Sequence, residues 1–245
     1  MSMRQPVLID NVEHHDLKYI SGHAPAFGDS VNQAPVFPTE FADIQREYPI
    51  FFRRDDKNNF YAVALLGLDK DENLFLDGTE WNARYIPAMI ARGPFLIGFK
   101  SEEIDGETRR EPMIHADITH PRFSRTEGEP LFLPHGGNAP RLERIARTLR
   151  TIHTGAEVMP VMFSAFEAAG LLAPIEVDIR LDETTAYKIP DLFGISAEAL
   201  SGLKGETLQS LNQSGFLALA FQVMSSLGNM SKIIELKNRK RGAGL

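Results

Sequence analysis

The run Tyr61-Ala62-Val63-Ala64-Leu65-Leu66-Gly67-Leu68 is apolar at nearly every position. A strand on a half-buried sheet alternates apolar and polar residues, whereas a strand with no polar face is buried on both sides. Any fold for this chain must therefore put a layer above and below that segment. Asp55-Asp56-Lys57-Asn58-Asn59 is turn chemistry, and it separates the run from a strand over 50–53, which predicts a hairpin. Pro49 ends a short helix over 40–47, because the residue before a proline disfavours the α region. Thr39 is placed to cap that helix. Further strands are expected over 73–76, 95–99 and 111–118, with an exposed charged loop over 102–110. Asp77-Gly78 is a turn, and Pro87 fits the first turn of a short helix ending near Gly93. Residues 1–36 read as an ordered, irregular arm with one strand over 6–12.

The pattern changes after Gly136-Gly137-Asn138-Ala139-Pro140, a helix-start signal. Leu142, Ile145, Leu149, Ile152, Ala156, Met159, Phe163 and Phe166 follow at alternating steps of three and four, which is a helical stripe. Pro160 lies inside it and predicts a kink near 156–160. Gly170 suits the C-cap, and Pro174 prevents continuation. Residues 175–181 and 184–189 read as paired strands. Ser196 caps a short helix to about 203, and 206–212 is another. Residues 216–237 form the last helix, with two adjacent apolar stripes and so a wide buried face. Lys237, Arg239, Lys240 and Arg241 suit the dipole at its end.

The expected class is α+β: a largely antiparallel sheet from the first half, packed with a long kinked helix and a C-terminal helix. The expected organisation is one domain over 1–245, with the arm at 1–36, a β-rich half at 37–120 and a mostly helical half at 138–245. The length allows a substantial core. A net charge of −7 argues against nucleic acid as a partner, since phosphate binding needs a basic footprint. With no cysteine there is no disulfide, thiolate metal site or cysteine nucleophile. The first ten residues hold no signal-type apolar region, and no run approaches the roughly 18 apolar residues that span a membrane. The chain is expected to be cytoplasmic and not membrane-spanning, with its oligomeric state open.

Three groups of residues invite a chemical reading. Asp69-x-Asp71-x-Asn73 with Glu80 mimics an EF-hand loop, but the sixth position, which needs glycine, is Leu74. An acidic turn is the plainer reading. His115-x-Asp117 matches part of the facial triad of non-haem iron oxygenases. Both side chains share a face if 113–118 is a strand, with His120, His135 or His153 as third ligand. A surface pair is the plainer reading here too. Glu80, Trp81, Arg84 and Tyr85 join a planar cation to two rings. Arg84 can clamp a carboxylate, and Trp81 can stack on a ligand or pack on the guanidinium. The competing account has Trp81 and Tyr85 in the core and Arg84 satisfying buried carbonyls. There is no nucleophile elbow, phosphate-cradling glycine loop or dinucleotide fingerprint. These absences lean away from an enzyme, and no cofactor or metal is expected.

One stretch resembles the bacterial SapC family. It holds Phe37-Pro38, Glu40-Phe41, Glu47-Tyr48-Pro49-Ile50, Val63-Ala64-Leu65-Leu66-Gly67-Leu68, Glu72-Asn73-Leu74-Phe75 and Trp81-Asn82-Ala83-Arg84-Tyr85-Ile86-Pro87-Ala88. The likeness continues more weakly through Leu131-Phe132, Gly170-Leu171-Leu172-Ala173-Pro174 and Ser226-Leu227. It departs at Pro134-His135-Gly136-Gly137 and near Leu192-Phe193-Gly194. The resemblance implies an association with bacterial surface layers, and relatives encoded near halogenase-like and cupin-like proteins. It carries no catalytic residues over to this chain. It implies a binding or accessory protein with a peptide, surface-layer or membrane-associated partner. An iron-dependent oxygenase using His115 and Asp117 is the alternative.

Overall fold

The structure is a computed structural model and describes residues 6–104 and 107–243. In chain order the first strands are β1 (Val7–Leu8), β2 (Lys18–Tyr19) and β3 (Gln33–Val36). A 3-10 turn, Pro38–Glu40, leads into α1 (Phe41–Ile44). Then come β4 (Ile50–Arg54), β5 (Phe60–Leu65), β6 (Leu76–Asp77), β7 (Glu80–Trp81) and α2 (Ala88–Ala91). β8 (Phe95–Ile104), β9 (Glu107–Ala116), β10 (Phe123–Ser124) and β11 (Glu129–Pro130) precede the long α3 (Pro140–Ala168). β12 (Leu172–Arg180), β13 (Ala186–Ile195), α4 (Ala197–Ser201), α5 (Gly205–Gln213), α6 (Phe216–Ser226) and α7 (Met230–Ala243) complete the chain.

The class is α+β, with every strand pair antiparallel. The main sheet has the order β12-β13-β4-β5-β3. Two of its five strands come from the second half of the chain, so the first half does not build the sheet alone. β5 behaves as its composition requires: Ala62, Val63, Ala64 and Leu65 are all buried. Phe52 meets Phe163 of α3 edge-on at 4.9 Å, and Phe60 stacks on the same ring at 5.5 Å. α6 packs against β4 and β13. Ser226, at its end, accepts the Ile50 N–H at 2.8 Å. A smaller sheet, β1-β9-β8, covers a second apolar cluster that contains Phe95, Leu131, Phe132 and Leu142. α3 enters both clusters, through Leu142, Ile145 and Leu149 at one end and Met162, Phe163 and Phe166 at the other. We propose that this shared helix makes the two cores one domain. No described helix is long and apolar enough to cross a membrane.

Several expected elements differ. Residues 73–75 are not strand, although Leu74 and Phe75 are buried. Asn73 accepts the Phe75 N–H, a local bond that displaces a ladder, and donates to the Asp29 carbonyl 44 residues earlier. Residues 102–104 and 107–110, read as loop, extend the β8–β9 hairpin, while 105–106 lie outside the described residues. Apolar periodicity cannot register a backbone ladder whose residues are charged. β9 ends at Ala116, short of 118. Thr39 caps nothing; its hydroxyl donates to the Thr151 carbonyl of α3. The last helix breaks at a 3-10 turn, Leu227–Asn229, where the Asn229 amide donates to the Gln45 and Tyr48 carbonyls. As expected, Pro160 lies within the one long helix α3.

Gly155 lets α3 approach the first helical turn. A Cβ there would lie 2.4 Å from Phe37 Cβ and 2.6 Å from Thr39 Oγ1. Helix propensity alone favours alanine by about 1 kcal/mol. Gly155→Ala should nevertheless destabilise the protein by roughly 1–3 kcal/mol, because overpacking outweighs propensity. Urea unfolding checks this, and a stabilised variant would contradict the close approach.

Candidate functional site

Residues 82–87 leave the short β6–β7 hairpin and run irregularly to α2. A segment without a ladder must satisfy its polar groups through side chains. Those side chains come from the turn of chain around α1. The Tyr48 hydroxyl donates to the Tyr85 carbonyl and accepts Trp81 Nε1–H at 2.7 Å. The Tyr85 hydroxyl donates to Glu40 Oε2 at 2.9 Å, and the same oxygen accepts the Ala88 N–H at 2.9 Å. Glu40 Oε1 takes the Phe37 N–H at 3.1 Å. Glu47 accepts the Arg84 N–H at 3.0 Å and the Lys232 ammonium of α7 at 2.6 Å.

Glu40 is 1% exposed. Burial pushes its carboxyl up to about 7, against the pull of the three donors toward the charged form. Burial also raises the Tyr48 and Tyr85 hydroxyls, which stay neutral and donate. At Glu47 burial opposes ionisation, but Lys232 and the Arg84 N–H overcome it and hold the carboxyl below its usual value.

The four predicted site residues separate. Trp81 and Tyr85 are half-buried, with their polar ends turned into the protein. Trp81 lies nearly parallel to Phe75 at 6.4 Å and packs against His23 at 5.2 Å. Both rings pack partly buried against the main core. Arg84 is exposed; its guanidinium makes no hydrogen bond, close ion pair or ring contact among the described residues, although its charge helps to hold the Glu47 carboxyl down. The account that buries Arg84 under carbonyls therefore fails. Trp81 and Arg84 share a groove of about 720 Å³ whose far wall is α7. Tyr85 joins Arg84 in an adjoining hollow of about 450 Å³, beside Asp43 and Arg46. Glu80 is exposed on β7 and lines neither.

The α7 wall was not foreseen. Lys232, Glu235 and Arg239 recur along one helix face, and the Glu235-x-x-x-Arg239 spacing is its sequence trace. Lys232 is paired with Glu47, and Arg239 with Glu235 at 3.3 Å. Arg84 is thus the groove cation whose guanidinium makes no close contact among the described residues, and the groove is suited to an anion.

The metal readings gain no geometric support. His115 lies against Gly98, where a Cβ would come within 2.5 Å of its ring. Asp117 falls beyond the strand and accepts the Thr119 N–H and hydroxyl, closing a turn. Among the described residues the one cluster of three potential ligand groups is Asp10, Glu13 and His14, which contains neither residue of the iron motif nor any of the EF-hand-like turn. In that turn, Asp69 and Glu72 instead bind Lys237 of α7.

A family model, SapC, matches residues 9–233. The chain belongs to the SapC family. Nothing matches it among curated proteins or among solved structures. In this SapC chain the matched region includes Glu40, Tyr48, Trp81, Arg84, Tyr85 and Lys232, while Glu235 and Arg239 follow it.

Glu40 makes a pH prediction. An acid whose folded value is raised from 4.5 to about 7 contributes stability that is complete below pH 4.5 and lost as pH rises through 7. Glu40→Gln does not titrate. The stability difference between the variant and its parent should therefore shift in the variant's favour between pH 4.5 and 7, by at most roughly 3 kcal/mol. Urea unfolding across that range tests it, and a constant difference would mean that Glu40 does not hold its proton.

Proposed function

We propose that this SapC-family chain is a binding or accessory protein rather than an enzyme. Its groove between residues 81–84 and α7 holds a carboxylate-bearing segment of a peptide or protein partner. The observation that carries this reading is the exposed Arg84 guanidinium, without a close contact among the described residues, over a groove whose other cations are ion-paired. A guanidinium forks onto a carboxylate with two parallel bonds, and arginine is enriched at binding hot spots. The Arg84 backbone is fixed by Glu47, so its side chain starts from a held base. The family's surface-layer association and its halogenase-like and cupin-like neighbours suggest where a partner protein is to be sought. We place this activity in the cytoplasm.

The test separates binding from stability. An acetylated peptide of alternating glutamate and tyrosine, titrated calorimetrically at low salt, should bind the parent. Arg84→Ala should weaken it at least tenfold, about 1.4 kcal/mol. The same change should leave unfolding within roughly 0.5 kcal/mol of the parent, as for an ordinary surface substitution. Unchanged peptide binding, or a stability loss of about 1–3 kcal/mol from unpaired buried acceptors, would defeat the reading.

A further inference from the structure

A second recess lies away from the Arg84 groove, between the β8–β9 hairpin and α3, with a volume of about 380 Å³. Its hairpin wall is Ile97, Phe99, Met113 and Ile114, and its helix wall is Ala146 and Leu149. Ile97 and Ile114 also pack on the smaller core, and Leu149 belongs to it, so both walls are anchored. Polar groups gather at the helix side. His153 sits 4.9 Å from the Phe99 ring and 3.6 Å from Glu157. Asn138 is bound to Glu143 at 3.0 Å. Arg150 is exposed, and its guanidinium has no partner among the described residues.

We infer that this recess is a small-molecule site for an aromatic or branched aliphatic carboxylate, with the hydrocarbon between hairpin and helix and the carboxylate on Arg150. The volume is at the lower end of the range for ligand pockets, which suits one or two rings and not a peptide. Ala146, Leu149, Arg150 and His153 stand at i, i+3, i+4 and i+7 on one helix face. That spacing puts a cation beside an apolar wall and so orients an amphipathic anion. Neutral hydrocarbon would leave Arg150 unused, and a fully hydrophilic anion would gain nothing from Ile97, Phe99 or Met113. The inference is independent of the Arg84 groove and does not rest on it.

The probe is 2-naphthoate, whose own fluorescence anisotropy reports binding, with 2-naphthamide as its neutral counterpart. The full chain should bind naphthoate at least tenfold more tightly than the amide. Arg150→Gln should abolish that preference, and Ala146→Met, which fills the recess, should remove binding of both. Naphthoate should not be displaced by the glutamate–tyrosine peptide, which separates this site from the other groove. Thermal unfolding of each variant checks that the fold is kept; if Ala146→Met is destabilised, Arg150→Gln decides alone. Equal affinity for acid and amide, parental affinity in Arg150→Gln, displacement of naphthoate by the glutamate–tyrosine peptide, or no naphthoate binding to the parent would overturn the inference.

Discussion

Glu40 is the constraint on which the site depends. A buried carboxyl is costly unless its oxygens are satisfied. This one takes the Phe37 N–H from the start of the first helical turn, and the Tyr85 hydroxyl and Ala88 N–H from the segment 45 and 48 residues further on. Three elements that share no ladder are thereby fixed to one side chain. Tyr48 continues the connection by bonding both the Tyr85 carbonyl and the Trp81 indole. The irregular run 82–87 is therefore suspended from inside the protein. The Tyr85 ring and the neighbouring Trp81 ring are held in place, while Asn82 and Arg84 are exposed. Exposure of that one cation follows from the inward commitment of its neighbours.

The opposite wall of the groove is tied down by charge. Lys237, 5% exposed, binds Glu72, 7% exposed, at 2.8 Å, and Asp69 beside it. Glu72 also accepts the Leu68 and Asp69 N–H groups, and burial, which opposes its charge, is overcome by the lysines. A buried pair of this kind adds little net stability compared with an apolar pair, but breaking one partner leaves an uncompensated charge. Its effect here is positional: it sets α7 against the turn after β5. Four residues before it on the chain, Ile233 is fully buried in the main core. The groove's width is thus determined by two anchors, Glu40 on one side and Lys237 on the other.

Much of the scaffold was legible in the sequence because it rests on periodicity. The unbroken apolar run of β5, the alternation of β12 and the stripe of α3 each have one physical meaning. What could not be read depends on side chains meeting across the fold. Leu74 and Phe75 look like strand because they are apolar, but Asn73 turns the backbone through Phe75 and ties it to Asp29, 44 residues earlier. The charged arms of the β8–β9 hairpin carry no apolar signal to mark their ladder. At the site, the sequence brought Trp81, Arg84 and Tyr85 together as residue types, but not their division of labour. That division depends on Glu40 and Tyr48, which lie more than thirty residues earlier, and on a helix near the far end of the chain.

The charge of the whole molecule bears on how the Arg84 groove works. A chain with a net charge of −7 repels anions at long range. At physiological salt, however, screening is nearly complete beyond about 8 Å. Within the groove lining, Arg84, Lys232 and Arg239 face Glu47 and Glu235, a local excess of one positive charge. If the groove takes an anion as proposed, that anion would not be steered in from a distance, and its affinity would come from slow release rather than fast capture. On the proposed reading Arg84 is the preferred anchor, because Lys232 and Arg239 each already neutralise a carboxylate, Glu47 and Glu235. Trp81 then contributes a wall rather than a stacking platform, since its N–H is spent on Tyr48 and its ring is packed against Phe75 and His23.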